Sequence, residues 1–504
     1  MLSLLKCDTN AGGFLKRHDI FAGIAAVMFL SGITPLAGAA EKNTTDDIFK
    51  LSRERPATPQ PPPTQPATTA REVTPRDSNS STAKSESTKT AEPPKHDGSA
   101  EQVTVDLEDG LRIQTRNKDY AYKIGGRIQV DSHSYDRPKD GYFAGADSEN
   151  HVFDIQRARL EMQATMARYY QAKLTAEFAG EAELKDAYLN VKYLSDANVR
   201  VGQFTYPYST ESLGSSKYAE FAESSAIKSA VASGRDRGVA VMGQPNDGVW
   251  HYVVGIFNGA PENTRDNNQN LDQVIRIVRN PEEISDDQWN FWLGAGYTTG
   301  KQLARDGEAL VLKTESKSGL NFLKAEIAAD VEYTRTRNSF DITTTNGPMM
   351  VKTEYYRADY DFENKVSLQG IYVLGSYFLT GEQRAVKNGQ FEQQAVIDVY
   401  DPEGDGRGAW EIAARYSVFQ ADPKFFVDDG LYAGWAALST TKYANAGYTW
   451  TLGVNWYPDT MARVMLDYIQ TFVATESASS LDAAVNTKAK NAENTLLMRF
   501  QLEF

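Results

Sequence analysis

The 504-residue chain has little of the chemistry from which metal centres and thiol sites are built. Its one cysteine is Cys7, and it has only 5 histidines. This excludes a disulfide framework and a cysteine-ligated metal, and it gives no basis for a His-rich zinc or copper site. Basic residues are outnumbered by acidic ones, with 53 Lys and Arg against 67 Asp and Glu, which gives a formal net charge of −14. A uniformly acidic surface repels nucleic acid, so we expect no nucleic-acid partner. From the scarcity of cysteine and histidine we also expect no metal, and we expect no cofactor.

Long apolar runs are missing after residue 33. The run over residues 21–33 follows two basic residues and is 13 residues long, whereas a bilayer-spanning helix needs roughly 20. It precedes the small residues 37–39, so residues 1–39 are predicted to be a secretory signal peptide. An uncleaved membrane anchor is the alternative. Cleavage removes Cys7, which suits an oxidising compartment.

Residues 40–100 are nearly devoid of apolar side chains. Nine of the 19 prolines fall between 41 and 100, among many Thr, Ser and Lys. Such a segment cannot bury enough surface to offset the entropy of ordering, so it is predicted to be an extended periplasmic linker. Its charges cancel, and residues 101–504 carry 41 basic and 56 acidic side chains. The acidity therefore belongs to the part of the chain that folds.

From residue 101 onward the hydrophobic period is two. Between Tyr122 and Asp131 the apolar side chains fall at even positions and charged or polar ones at odd positions. Residues 157–166, 172–178 and 451–456 repeat the alternation, which is the signature of β-strands with one apolar face. Only Ser215–Val231 suggests a helix. The sequence therefore predicts an all-β fold.

Three features favour a membrane barrel over a secreted soluble all-β protein, which is the alternative. The polar strand faces carry charges throughout, as a water-filled lumen permits. Aromatic residues cluster at the ends of segments, as in interfacial girdles. Leu496–Phe504 alternates without a break and ends on phenylalanine, as outer-membrane barrels do. We predict a transmembrane antiparallel β-barrel, surrounded by lipid, in the outer membrane of a Gram-negative bacterium.

Seven stretches resemble the phosphate-selective porins O and P. They are residues 123–131, 156–161, 215–218, 379–383, 408–412, 452–457 and 497–501. They follow the family's order and assign residues 101–504 to the barrel. The resemblance implies sixteen strands, assembly as a homotrimer and a loop that folds inward to narrow each pore. About 25 residues for each strand and its loop suits this architecture.

The resemblance also implies an anion pathway, because family members concentrate anions with inward arginines and with constriction lysines. Such cations replace part of an anion's hydration shell, and the arginine fork suits oxyanions. The candidates are Lys123, Arg127, Arg157, Arg159, Lys173, Lys217, Arg335 and Arg337. Each arginine has an alternative role in cross-strand ion pairs, as Arg157 or Arg159 could form with Glu161 or Glu177. Lys217 could instead only tether the loop to the wall.

The constriction departs from the family pattern. Ser212 and Ser224 stand where phosphate-selective members carry a lysine and an arginine, and glutamates flank the loop at 211, 220 and 223. The segment that corresponds to the family's arginine ladder, 309–319, offers only Lys313 and Lys317. We therefore predict passive diffusion of small hydrophilic solutes, with anions such as phosphate favoured. A general porin without phosphate selectivity is the alternative.

Two alternative roles exist for such a barrel. A structural barrel could anchor residues 41–100, which would then touch peptidoglycan or a periplasmic partner. A barrel phospholipase needs Ser and His together, and no motif joins a serine to any histidine. Asp401–Gly406 resembles the start of a calcium loop, but Ile412 occupies the position of the bidentate ligand. We predict no enzyme and no catalytic residues.

Overall fold

The structure is a computed structural model of the chain. It describes residues 103–107, 110–137, 142, 151–194, 196–232, 234–285, 287–316, 319–362, 364–426, 438, 443–475 and 491–504. The predicted signal peptide, the predicted linker and Lys317 lie outside the described residues. No helix among the described residues is long and apolar enough to cross a membrane.

Strands account for nearly all of the regular structure. They are β1 Val103–Asp106, β2 Leu111–Thr115, β3 Ala121–Asp136, β4 His151–Met166, β5 Tyr170–Glu177, β6 Glu183–Leu194, β7 Ala197–Thr205, β8 Arg235–Gly243, β9 Trp250–Phe257, β10 Asp272–Arg279, β11 Asn290–Leu303, β12 Ala309–Lys313, β13 Asn321–Glu326, β14 Glu332–Asn346, β15 Met349–Asp361, β16 Lys365–Phe378, β17 Val386–Lys387, β18 Gln390–Phe391, β19 Ala409–Ala421, β20 Ala446–Tyr457, β21 Ala462–Ala474 and β22 Asn491–Glu503. The helices are α1 Thr210–Leu213, α2 Ala226–Val231 and a 3-10 turn at Pro423–Phe426.

Sixteen of these strands close into one antiparallel barrel. From β3 to β22 each wall strand pairs with the next wall strand along the chain, while β12, β13, β17 and β18 form two separate hairpins. The last strand, β22, then pairs with β3 from Asn494 opposite Asp136 to Glu503 opposite Arg127. The predicted sixteen-stranded barrel is confirmed. The short strand β2 pairs with the N-terminal end of β3, and β1 pairs with β2.

The two faces of the wall follow the predicted alternation. On β22, Leu496, Phe500 and Leu502 are each about half exposed on the outer surface, whereas Arg499 is 1% exposed inside. A strand of period two can place an apolar face in lipid and a polar face in the lumen. The sequence of β22 therefore supplies both surfaces of the wall at once.

The connections differ at the two ends of the barrel. At one end most are tight, such as residues 167–169 and 347–348; we call this the short-turn end. At the other end they are longer, including residues 206–234 and 304–331. The connection 379–408 is an exception, because it is long and lies at the short-turn end. The connections 206–234, 304–331 and 379–408 are each long enough to reach into the lumen.

Substitution of Gly126 tests the closure of the barrel between β3 and its neighbours. A Cβ on Gly126 would lie 2.4 Å from the carbonyl oxygen of Arg159 and 2.7 Å from the Phe504 ring. We expect Gly126→Ala to destabilise the barrel by about 1–3 kcal/mol, as overpacking does, and to lower the fraction of heat-modifiable folded protein on electrophoresis. Gly375→Ala is the control, since its nearest neighbour is 3.8 Å away. Equal folding of the two variants would contradict the closure geometry.

Candidate functional site

Residues 206–234, between β7 and β8, run inside the barrel; we call them the constriction loop. Two short helices shape it, and each has a serine cap. The Ser209 hydroxyl accepts a hydrogen bond from the Ser212 N–H at 3.2 Å, and Ser225 accepts one from the Lys228 N–H at 3.3 Å. Such caps satisfy N–H groups that have no partner within a helix. The sequence thus sets where each helix begins.

Side chains of the wall hold the constriction loop by its backbone carbonyls. The hydrogen bonds run from Gln129 to Ser216 O (3.2 Å), Gln501 to Lys217 O (3.0 Å), Arg463 to Ala219 O (2.6 Å), Asn455 to Glu220 O (3.0 Å), Arg499 to Ala222 O (3.0 Å) and Arg415 to Glu223 O (3.1 Å). The helix suggested for Ser215–Val231 is therefore wrong over its first part. Only Ala226–Val231 is helical within that range, because the carbonyls before it accept hydrogen bonds from wall side chains rather than from backbone N–H groups of a helix.

Two of the three buried arginines that hold the loop are themselves paired with carboxylates. Arg499 contacts Asp131 through two 2.7 Å hydrogen bonds, and Arg415 lies 2.7 Å from Glu315. Burying a charge costs free energy, and pairing it with a hydrogen-bonded carboxylate offsets that cost. Each of these arginines therefore joins a carboxylate to a loop carbonyl.

Two further segments enter the lumen, and the sequence analysis missed both. From the loop 304–331, Glu315 accepts a hydrogen bond from the Ala226 N–H at 2.9 Å. From the segment 379–408, Arg384 lies 2.5 Å from Glu411 on the wall and 3.2 Å from Glu220 in the constriction loop. The length of 379–408 at the short-turn end was the signal that could have revealed its inward course.

A cavity of about 720 Å³ separates the constriction loop from the wall. Ten basic and six acidic side chains line it. The basic ones are Lys123, Arg127, Arg157, Arg159, Lys173, Lys217, Lys228, Arg235, Lys352 and Arg415, and the acidic ones are Glu161, Asp186, Glu211, Glu220, Glu223 and Glu392. The lining is positive even though residues 101–504 are net negative.

The structure brings six of the eight sequence-predicted cations to this cavity. They are Lys123, Arg127, Arg157, Arg159, Lys173 and Lys217. The other two, Arg335 and Arg337, contact Asp272 at 3.0 and 3.3 Å elsewhere in the barrel. Their ion pairs correspond to the alternative role that the sequence left open. Lys228, Arg235, Lys352 and Arg415 line the cavity but were not among the candidates.

Three of the six cavity cations are paired with carboxylates. Arg159 lies 2.7 Å from Glu177, Lys173 lies 3.2 Å from Glu161, and Lys217 lies 3.2 Å from Glu503. The Lys217 pair also joins the loop to the wall. These contacts leave less positive charge for a solute than the sequence alone implied.

Arg127 and Arg157 are different, because no carboxylate of the described residues lies within 4 Å of either. Arg127 donates to the Ser215 hydroxyl at 3.2 Å, and Arg157 donates to the Gln129 side-chain oxygen at 2.8 Å. Neutral acceptors orient a guanidinium without cancelling its charge. These two arginines therefore contribute unneutralised positive charge to the cavity.

Glu220 is a constriction-loop carboxyl in an unusual environment. Burial raises the pKa of Glu220 to about 7, and Glu411 adds to the rise, although the guanidinium of Arg384 and the ammonium of Lys352 oppose it. Its side chain lies 3.2 Å from that of Arg384. Glu220 is therefore charged above about pH 7 and neutral below it.

We expect the anion-to-cation permeability ratio to rise by about two- to fivefold between pH 8 and pH 6. The reason is that protonation of Glu220 removes one negative charge, worth about 1 kcal/mol at close range in water. Bilayer reversal potentials in a salt gradient measure this ratio. In Glu220→Gln the ratio should stay flat across that range, and an unchanged pH response in this variant would assign the effect to another group.

A closed sixteen-stranded barrel with an inward loop and a charged, water-accessible lumen defines the outer-membrane porin class. The sequence profile described as phosphate-selective porin O and P matches residues 122–504, and the chain belongs to that family. A curated relative, Porin O of Pseudomonas aeruginosa, is 20% identical over 400 residues, covering 73% of this chain and 86% of the relative.

Solved structures with a similar fold include two outer-membrane proteins. The anion-selective porin from Comamonas acidovorans is 10% identical, with a TM-score of 0.45 over 76% of this chain and 100% of that one. The trimer form of OmpT from Vibrio cholerae is 15% identical, with a TM-score of 0.46 over 76% of this chain and 99% of that one.

Proposed function

We propose that the protein is a passive porin of the Gram-negative outer membrane that favours small hydrophilic anions. The observation that supports this most strongly is the charge of the cavity, where ten basic side chains outnumber nine acidic ones, namely the six of the lining and the ion-pair partners Glu177, Glu503 and Glu315. Arg127 and Arg157 have no carboxylate partner among the described residues. Selectivity depends on the charge that a permeating ion meets, not on the total charge of the protein.

The cavity acts on an anion in two ways. Its net positive charge raises the local anion concentration, because low-dielectric walls focus the field. The guanidinium groups of Arg127 and Arg157 then replace part of the hydration shell with paired N–H donors. Passage requires neither a cofactor nor an energy source, so net flux follows the solute gradient.

Phosphate is among the solutes that we propose pass through the pore. Membership of the phosphate-selective porin O and P family supports this, whereas the hydroxyls of Ser212 and Ser224 cannot replace the charges of a lysine and an arginine. We expect phosphate to pass without being held tightly. Chloride conductance with phosphate titrated in distinguishes the two cases, because strong block at low phosphate would reveal a tight site.

Arg157→Ala tests the anion pathway. Loss of one cation costs about 1 kcal/mol at close range in water, so the anion-to-cation permeability ratio should fall about fivefold in reversal-potential measurements under a KCl gradient. Arg357→Ala is the matched control, because it removes one arginine that pairs with Asp359 and does not line the cavity. Cation preference in the unmodified protein would contradict the anion proposal, and absence of conductance would contradict the porin proposal.

We propose a homotrimer whose contacts use the outer face of β3 to β7. An apolar groove of about 550 Å³ runs along it, and three of its lining residues are the small Ala164, Ala172 and Ala187. Small side chains permit the barrel wall of a neighbouring protomer to approach closely, while the remaining outer surface faces lipid. Leu174→Arg, at the groove, should convert trimers to monomers on native electrophoresis, whereas Leu452→Arg, on the outer face of β20, should not. Trimers of both variants would exclude this face.

We also propose that residues 1–39 are removed on export and that residues 40–100 form a periplasmic linker. N-terminal sequencing of the mature protein tests the first statement. The linker could touch peptidoglycan or a periplasmic partner, in which case cells lacking residues 41–100 should keep normal permeability but lose envelope integrity. If neither property changes, the linker has no anchoring role.

A further inference from the structure

The loop side of the cavity is rich in hydroxyl groups, and of its two cations Lys217 pairs with Glu503 and Lys228 donates to Ser224. Its lining includes Ser212, Ser215, Ser216, Ser224, Ser229 and Tyr218. The opposite side, formed by the wall strands, carries Arg127 and Arg157. A solute in the cavity thus meets two arginines without a carboxylate partner on the wall side and a set of hydroxyl groups on the loop side.

Several of these hydroxyls are available to a solute. No side-chain hydrogen bond joins Ser216 or Ser229 to another described residue. Ser224 accepts a hydrogen bond from Lys228 at 3.1 Å, and Ser215 accepts one from Arg127 at 3.2 Å. Because a hydroxyl has one proton and two lone pairs, each of these serines keeps its own O–H for a further bond.

Glu223 adds an acceptor without a partner. Its Oε1 atom is buried and makes no hydrogen bond with any described residue, and its side chain lines the same cavity. Buried polar atoms are nearly always hydrogen-bonded, either to protein or to a molecule in the site. Glu223 therefore favours a solute that brings a hydrogen-bond donor as well as a negative charge.

The size of the cavity also suits an organic solute. The cavity of about 720 Å³ falls in the range of sites that hold organic ligands, roughly 300–1,000 Å³. Chloride offers no donor to Glu223, and an aliphatic carboxylate offers no hydroxyls to the serines. A sugar acid satisfies both sides, because its carboxylate meets the arginines while its hydroxyls reach Glu223 and the loop.

We propose that the preferred solutes of this pore are hydroxylated organic anions of the sugar-acid class. This inference rests on the proposed anion pore and specifies its solute. The carboxylate lies against Arg127 and Arg157, and the hydroxyl groups exchange hydrogen bonds with Glu223, Ser216 and Ser229. Replacement of constriction cations by Ser212 and Ser224 then changes the selectivity of the pore rather than merely weakening it.

Competition in single-channel recordings tests the proposal. Chloride current through the full-length protein is measured while gluconate, hexanoate or inorganic phosphate is added. Gluconate and hexanoate share six carbons and one carboxylate but differ in hydroxyl groups. We expect half-block by gluconate at a concentration at least about tenfold below that of hexanoate, since several net hydrogen bonds separate the two. Phosphate should block less than gluconate.

Two variants assign the effect to the loop. The double variant Ser216→Ala, Ser229→Ala should weaken gluconate block about fivefold, the equivalent of one net hydrogen bond, and leave hexanoate block unchanged. Ser367→Ala, at a serine of β16 that does not line the cavity, should change neither. The double variant Ser212→Lys, Ser224→Arg should reverse the order of gluconate and phosphate.

The outcomes separate this inference from the proposed function. Cation selectivity under a KCl gradient would overturn the anion pore and the inference together. Anion selectivity with equal block by gluconate and hexanoate would overturn the inference alone. Stronger block by a zwitterionic amino acid than by gluconate would also overturn it, because Glu223 would then be serving an ammonium group.

Discussion

The constriction loop stays inside the barrel because side chains of the wall donate hydrogen bonds to its backbone carbonyls. Gln129, Arg415, Asn455, Arg463, Arg499 and Gln501 supply these bonds from five strands around the lumen. A loop buried in a barrel must satisfy its polar backbone without help from regular structure. Every other property of the pore, including the size of the cavity and the residues that face it, depends on this attachment.

The same attachment explains how the charges are distributed. Asp131 and Glu315 neutralise two of the three arginines that hold the loop, Arg499 and Arg415, so these two cations serve structure and not conduction. Arg127 and Arg157 bond to neutral oxygen atoms instead. A strongly acidic barrel can therefore present a positive interior, because selectivity follows the few charges that are left without a partner on the path.

Much of the fold could be predicted from the sequence. The alternation over Tyr122–Asp131 and Leu496–Phe504 predicts strands and the face that each residue takes, and these two strands close the barrel. The same alternation directs Arg127, Arg157 and Lys173 into the lumen. It cannot say which partner a lumen cation meets, because partners come from strands and loops far away in sequence.

The inward course of the segments 304–331 and 379–408 could not be predicted from the sequence. The hydrophobic period predicts strands and their faces but not the path of a connection, so apart from the length of 379–408 nothing indicated that Glu315 and Arg384 would reach the constriction loop. The helix suggested for Ser215–Val231 failed for a related reason. Local helix propensity could not predict that wall side chains such as Arg463 and Arg499 would donate hydrogen bonds to the backbone carbonyls of this segment.

The most direct test of a positively charged path through a negatively charged barrel is to locate the ions. A crystal soaked in rubidium bromide reveals both ions by their anomalous scattering. Bromide within contact distance of Arg127 and Arg157, with no rubidium between the constriction loop and β3 to β5, is the predicted result. Rubidium in that cavity, or bromide only on the outer surface, would contradict it.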